Sequence, residues 1–169
     1  MKVKDLMTTD VKCCADHNTL NIVAQVMWDH DIGCVPIVDQ EGRVIGMLTD
    51  RDICMSAYME GVPLAWLWAT VAMSKEVFSC GADDDLATAE KLMREKQVHR
   101  LPVLDAEKHP VGIISLHDVA SKGWREAEMK KTRSVSDTEI AQLVASVGAP
   151  RHRVVETQAA SAPSPFASC

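Results

Sequence analysis

Apolar residues along this chain keep two rhythms. Leu20, Val23, Ala24 and Met27 are spaced i, i+3, i+4, i+7, the stripe of a helix with one buried face. VPIVD at 35–39 and VIGML at 44–48 are short apolar runs separated by the turn sequence QEGR, and they predict two strands. A run at 11–14 predicts a strand ahead of the helix, and a second helix opens after Gly46. The same order then returns. A strand at 77–80 precedes a helix carrying Leu86, Ala89, Leu92 and Met93, followed by LPVLD at 101–105, the turn AEKH and VGIIS at 111–115.

The return is in register. A shift of 66 positions brings Met7 onto Met73, Cys14 onto Cys80, Leu20 onto Leu86, Pro36 onto Pro102, Gly46 onto Gly112 and Asp52 onto Asp118. The match of 7–53 onto 73–119 needs no gap, which identifies an internal duplication. Each copy reads β-α-β-β-α and has one apolar sheet face, so the two copies are expected to bury those faces together as an α+β fold. The expected division is 1–58 for the first repeat, 59–72 for the connection, 73–121 for the second repeat and 122–169 for a C-terminal helix and flexible tail.

The connection holds Gly61 and Pro63, which break the preceding helix, and then Trp66 and Trp68. The tryptophans are expected to clamp the two repeats together or to form a dimer contact. Beyond the repeats, Ser136 and Glu139 form a capping-box pair ahead of an apolar stripe of Ile140, Leu143, Val144 and Val147, with Pro150 closing the helix. From Thr157 the composition is Ala, Ser and Pro, a signature of disorder.

Composition removes several function classes. With 169 residues, 47% of them hydrophobic, the chain suffices for one domain or two half-domains sharing a core. The net charge of −6 argues against non-specific nucleic-acid binding, though not against a small anionic ligand. The longest uncharged run, 61–74, is too short to span a bilayer and contains a proline. With no secretory signal pattern at the N-terminus, a soluble cytoplasmic protein is expected. The six cysteines show no C-x-x-C pair and no zinc spacing with the six histidines, so they are expected to be mostly small buried hydrophobes.

GMLTDRDI at 46–53 and GIISLHDV at 112–119 share a G-x-x-[TS]-x-x-D layout at a strand-to-helix junction. By itself Thr49 with Asp52, or Ser115 with Asp118, is a helix cap. The duplicated β-α-β-β-α unit, the VPIVD and LPVLD runs and these two junctions together resemble tandem cystathionine-β-synthase (CBS) domains, over about 70% of the chain. The resemblance is to small bacterial proteins that hold only such a pair, the Bateman module. It implies a regulatory module that binds AMP, ADP, ATP or S-adenosylmethionine in clefts between the repeats, commonly as a homodimer and often for an effector protein in trans.

Position by position, the resemblance implies that Asp52 and Asp118 accept from ribose hydroxyls, as an acidic residue does in dinucleotide folds. Thr49 and Ser115 would add hydroxyl contacts, and the helix N-termini behind them suit phosphate. The adenine-binding stretches would be Lys12, Cys13 and Ala15 with Cys34, Val35 and Pro36, and in the second copy Phe78, Ser79 and Gly81 with Arg100, Leu101 and Pro102. Arg51 and Arg100 are the candidate phosphate cations, with Lys12 and His117 behind them. Thr19 matches a position that often helps to hold ligand, but its counterpart is Asp85, in the acidic run ADDD at 82–85. That run would either repel phosphate, leaving the second cleft to a ligand with fewer phosphates or to none, or simply favour a helix N-terminus. His99 and His117 near the clefts would make affinity pH-dependent.

Two other readings compete. One is a structural interaction module with empty clefts, in which the tryptophan segment and the tail helix matter most. The other is an enzyme, for which no nucleophile–base pair, Gly-rich phosphate loop or metal constellation appears, so no catalytic activity is expected.

Overall fold

A computed structural model of the chain describes residues 1–128 and 136–147. The expected closure by Pro150 and the tail from Thr157 lie outside the described residues. The first repeat consists of β1 (Cys14–Ala15), α1 (Leu20–Asp29), β2 (Cys34–Val38), β3 (Val44–Thr49) and α2 (Asp50–Glu60). After a 3-10 turn, Leu64–Trp66, and the short α3 (Ala69–Ala72), the second repeat has α4 (Leu86–Lys96), β4 (Arg100–Leu104), β5 (Pro110–Ser115) and α5 (Leu116–Glu128). A last helix, α6 (Asp137–Val147), follows.

The sheet register obeys the 66-residue shift. Cys34 pairs with Thr49 and Arg100 with Ser115, both pairs antiparallel, and each hairpin has its irregularity at the equivalent place, 37/38 and 103/104. Parallel to β2, Cys14 faces Ile37, just as Cys80 faces Val103. Here the structure corrects the expected leading strands. The first is displaced to Cys14–Ala15, and the run at 77–80 contributes only the bridge at Cys80. Two side-chain oxygens, one of an amide and one of a carboxylate, explain part of this, because they bend the chain just past the bridge. Asn18 Oδ1 accepts from Ala15 N–H at 2.8 Å, and Asp84 Oδ2 from Gly81 N–H at 2.7 Å.

Each repeat has its own core, and each core borrows from the segment leading the other repeat. Leu20, Val23, Met27, Val35, Ile37 and Leu48 pack with Leu67 and Ala69. Leu86, Ala89, Met93, Leu101, Val103 and Ile114 pack with Val3. The backbone follows the same exchange. Thr8 pairs antiparallel with Ile113, and its equivalent Ser74 pairs with Met47. Lys2 pairs with Asp85, and its equivalent Trp68 with Thr19. This crossing ties the halves together, with the two sheets facing across the middle.

The ADDD run serves the crossing. Asp85 and Asp83 hold Lys2 and Lys4 at 3.0 and 2.6 Å. Their charges are thus matched by the N-terminal lysines. Both pairs are exposed, so their worth is small individually.

The tryptophan clamp is overturned. Leu67 is the residue that enters the core, while Trp66 and Trp68 on either side point outward, 73% and 52% exposed. Leu67 and Trp68 are extended and so face opposite ways, Trp66 closes the 3-10 turn before them, and the backbone bond from Leu20 N–H to Leu67 O holds Leu67 against the core. In α6 the cap is as expected, Ser136 Oγ and N–H both meeting Glu139 Oε2. Leu143 and Val147 are buried, but Val144 faces solvent.

At the hairpin tips the repeats touch directly. Val44 N–H donates to Lys108 O at 3.0 Å, and His109 Nε2 stands 2.9 Å from Glu41 O. The symmetric counterpart of the first bond is absent for a chemical reason: position 110 is proline and has no N–H to give.

Candidate functional site

The two strand-to-helix junctions are near copies. Asp52 Oδ2 accepts from Thr49 N–H at 2.9 Å and from Thr49 Oγ1 at 2.7 Å, and Asp52 N–H donates back to Oγ1 at 3.2 Å. The same three contacts between Ser115 and Asp118 measure 2.8, 2.6 and 3.2 Å. Only Oδ2 of each carboxylate is engaged in these caps. Both aspartates are partly buried at the opening of a helix. Each junction can therefore cap its helix and still offer a carboxylate oxygen to a hydroxyl donor.

Strand pairing places Cys34 beside Thr49 and Arg100 beside Ser115. These two strand-opening positions, equivalent in the repeat, also approach each other. The Arg100 guanidinium lies close enough to Cys34 of the first repeat to act on its thiol, as do Asp50 and Asp52. A Cβ built on Gly33 would stand 3.2 Å from Asp50 Oδ2 and 4.0 Å from Arg100 Nη2. Arg100 thus has its backbone in the second repeat while its guanidinium reaches toward Cys34 and Gly33 of the first. Its sequence position alone assigns it to the second cleft.

The thiols here are walls. Burial pushes Cys13 and Cys34 up to about 11, and for Cys34 the pull of Arg100 is opposed by Asp52 and Asp50. Cys14 and Cys80 are raised for the same reason, burial. All four stay protonated at neutral pH and act as small apolar groups.

The other expected site residues divide by what they can still do. Val35, Pro36, Leu101 and Pro102 are buried, so the backbone is what they can present to a ligand. Lys12 is paired with Asp10 at 2.7 Å. Thr19 Oγ1 donates to Asn21 Oδ1 at 2.6 Å. Phe78 is packed against the second core, with Lys96 Nζ 4.7 Å from its ring centroid. His117 Nε2 is 3.2 Å from Ser121 Oγ, one turn along α5. Arg51 is exposed and, like Arg100, has no ion pair within 4.0 Å among the described residues.

Ser79 and Gly81 open onto a cavity of about 790 Å³, between β3 of the first repeat and the second hairpin. Lys75 and Lys108 line it as well, beside Asp84 and Asp105. Sequence reasoning did not single out either lysine. Their presence depends on where the hairpin tips meet, and no local pattern carries that signal. Among the described residues no cluster of three or more metal-ligating side chains occurs, and no helix is long and apolar enough to cross a membrane.

Comparison with known proteins agrees with this geometry. The family model described as CBS domain matches twice, at residues 3–57 and 68–124. Hypoxic response protein 1 of Mycobacterium tuberculosis is 35% identical over 117 residues, covering 69% of this chain and 81% of that protein. Its crystal structure, with two coordinated zinc ions, superposes with a TM-score of 0.65 over 72% of this chain and 98% of that one, at 33% identity. CBS domain-containing protein YhcV of Bacillus subtilis is 37% identical over 122 residues, 70% of this chain and 82% of that protein. The CBS domain pair of protein MJ0100, crystallised with 5′-methylthioadenosine and S-adenosyl-L-methionine, shares the fold at 21% identity, with a TM-score of 0.65 over 72% of this chain and 98% of that one.

Proposed function

The chain belongs to the CBS domain family, and from that premise we propose that it is a regulatory module binding an adenosine-containing ligand between its repeats. AMP, ADP, ATP and S-adenosylmethionine are the candidates. The observation that carries the reading is the duplicated junction, with a carboxylate oxygen left over at Asp52 and at Asp118, and Arg100 reaching across toward Cys34, the strand neighbour of Thr49. The adjacent hydroxyls of a ribose would donate to that oxygen. The N-terminal N–H groups of α2, with Arg51 and Arg100, would attract phosphate or another anionic group. The MJ0100 pair, with the same fold, binds two adenosine derivatives, which supports the ligand class.

A ligand touching Asp52 and Arg100 touches both repeats, so its binding would fix their relative position. A second copy of the chain or an effector protein would read that change. The family match covers the regulatory pair, and the proposal gives it no catalytic step. The cytoplasm, where such ligands are abundant, is the proposed location.

The test is a thermal-shift series with AMP, ADP, ATP, S-adenosylmethionine and NAD on the wild-type chain and on Asp52→Ala, Asp118→Ala and Arg100→Ala. A ligand at 100 times its Kd stabilises the folded state by about 2.7 kcal/mol. The expected result is a shift with one adenosine ligand that Asp52→Ala and Arg100→Ala both abolish. No shift with any ligand, on protein free of co-purified nucleotide, would favour a ligand-free interaction module instead. The outward-facing Trp66 and Trp68 are the observation that keeps this second reading alive.

A further inference from the structure

The two hairpin turns are one design with a single telling exchange. In the first, Asp39 Oδ1 accepts from the N–H groups of Glu41 and Arg43 at 3.0 and 2.9 Å, and Asp39 Oδ2 accepts from Arg43 Nε at 2.9 Å. In the second, Asp105 Oδ1 accepts from the N–H groups of Glu107 and His109 at 3.0 and 2.7 Å, and Oδ2 stands 3.3 Å from His109 Nδ1. The 66-residue shift thus sets a histidine in the place of an arginine. The arginine keeps its charge within its own turn, where Nη2 also meets the Glu41 carboxylate. The histidine instead turns its second nitrogen across the boundary between repeats, with Nε2 2.9 Å from Glu41 O. Its ring lies over Gly42, where a Cβ would stand 3.5 Å from His109 Cδ2.

Both oxygens that face the ring can only accept. The Glu41 carbonyl carries no proton, and the Asp105 carboxyl is held below the ordinary carboxylate range, first by the His109 backbone N–H, so it is ionised near neutral pH. A neutral imidazole has one N–H and satisfies one of the two oxygens, whereas the imidazolium donates to both. The charged groups around the ring lean the same way. Asp105, Glu107 and Lys108 belong to its own turn, and Asp39, Glu41 and Arg43 to the facing one, where Arg43 is engaged with both of its acids. Carboxylates outnumber cations, which favours a positive charge between the turns.

We propose that His109 is a proton-operated latch between the repeats: charged, it ties the second hairpin turn to the first, and neutral, it releases one of its two oxygens so that the tips loosen. Imidazole is the side chain whose charge ordinarily changes between about pH 5 and 8, so the latch tightens as pH falls through that range and slackens as it rises. Its side chain is 42% exposed, which gives protons access and keeps the effect modest. The same tips bound the cavity of about 790 Å³, with Val44 on one side and Asp105 and Lys108 on the other. The latch therefore sets how firmly that edge of the cavity is closed. It belongs to the chain without ligand and does not depend on the adenosine reading.

The experiment is amide hydrogen exchange at Val44 in the full chain without ligand, because that N–H donates to Lys108 O and so reports the tip contact itself. Once the intrinsic pH dependence of exchange is removed, wild-type protection is expected to rise roughly threefold to tenfold from about pH 8 to about pH 5.5, the net effect of one hydrogen bond. Asp105→Asn makes the sharper test. Its Oδ1 still serves the N–H groups of Glu107 and His109, which puts an amide donor where Oδ2 stood. Nδ1 can then accept while the Nε2 proton stays on Glu41 O, so the neutral ring satisfies both neighbours. This variant is expected to be as protected at about pH 8 as wild type is at about pH 5.5, with no further rise on acidification. His109→Gln, which cannot titrate, is expected to show weak protection at every pH. A wild type whose protection does not change with pH overturns the latch. So does an unchanged slope in Asp105→Asn, or one that persists in His109→Gln and so belongs to another group such as Glu90.

Discussion

The thioether of Met73 fills the space where a side chain on Gly46 would stand. A Cβ built at Gly46 lies 2.5 Å from Met73 Sδ and 3.0 Å from the carbonyl oxygen of Ser74. Met7 lies over Gly112 in the same way, with Sδ at 2.5 Å. These are the points where the lead segment of each repeat crosses onto the hairpin beside the other. They explain why both junctions begin with glycine: the requirement is close approach by a neighbouring chain.

The two contacts differ in what can yield. At Gly112 the intruding atoms all belong to the flexible Met7 side chain, whereas at Gly46 the backbone of Ser74 is close as well. Gly46→Ala is therefore expected to destabilise by about 1–3 kcal/mol, the range for overpacking, and Gly112→Ala by less. Met7→Ala placed with Gly112→Ala should recover part of the loss, because it removes the three nearest atoms. Equilibrium urea unfolding of the three variants decides it. Equal losses at the two glycines would mean that the Ser74 backbone moves as readily as a methionine.

The caps give a second comparison. Their hydrogen-bond lengths agree between repeats within 0.1 Å for each of two contacts and are identical for the third. Thr49→Ala and Ser115→Ala should each cost about 1 kcal/mol, the usual worth of an N-cap hydroxyl. The same two variants, tested with ligand, separate capping from binding. A ligand-induced shift that survives Thr49→Ala leaves the contact to Asp52 alone.

Much of this was legible in the sequence, because a duplication writes its own alignment. The offset of 66 aligned the paired apolar runs, both caps and the helix stripes of one copy with those of the other, and local chemistry enforces each of them. What was hidden depended on contacts between the halves. Position 100 reads as the start of a strand in the second repeat, and nothing local shows that its guanidinium reaches toward Cys34 and Gly33 of the first. Trp66 and Trp68 read as a clamp across the repeats or a dimer contact, because tryptophan is unusual in so aromatic-poor a chain. The 3-10 turn ending at Trp66 and the extended residues Leu67 and Trp68 send Leu67 into the core and both tryptophans outward. The replacement of Val44 by Pro110 acts only where the hairpin tips meet, and there a missing N–H makes the contact one-sided.

One turn holds a residue in an unfavourable conformation. Gly42 in the first hairpin has φ of +78°, and its equivalent, Lys108, has φ of +70°. The left-handed region penalises a side chain by roughly 1–2 kcal/mol, and glycine avoids that at some entropic cost. Lys108→Gly is expected to stabilise the chain by about 0.5–1 kcal/mol in chemical denaturation. Because Lys108 also lines the larger cavity, the variant asks a functional question. If it is more stable yet binds an anionic ligand less tightly, the strain at 108 is retained for its ammonium group.

Glu90 makes the hold of α6 depend on pH. It is 9% exposed, and burial, together with the neighbouring Glu139 carboxylate, raises its pKa above the ordinary 4.5. A carboxyl raised on folding favours the protonated native state. Its contribution is present in full below about pH 4.5 and is lost as pH rises through the raised folded value. At neutral pH the charged Glu90 therefore opposes the docking of α6, and mild acidification should tighten it. Glu139, held below its ordinary value first by the Ser136 hydroxyl, acts in the opposite sense, but only where pH falls through its own lowered value. The window for Glu90 lies above that. Glu90→Gln is expected to raise the melting temperature at about pH 7 and to lessen the change between about pH 7 and pH 5. Amide exchange in α6 would locate the effect, slowing in the wild type on acidification once the intrinsic pH dependence of exchange is removed. A Glu90→Gln chain that melts no higher than wild type at neutral pH would show that the α4–α6 contact already accommodates the charge.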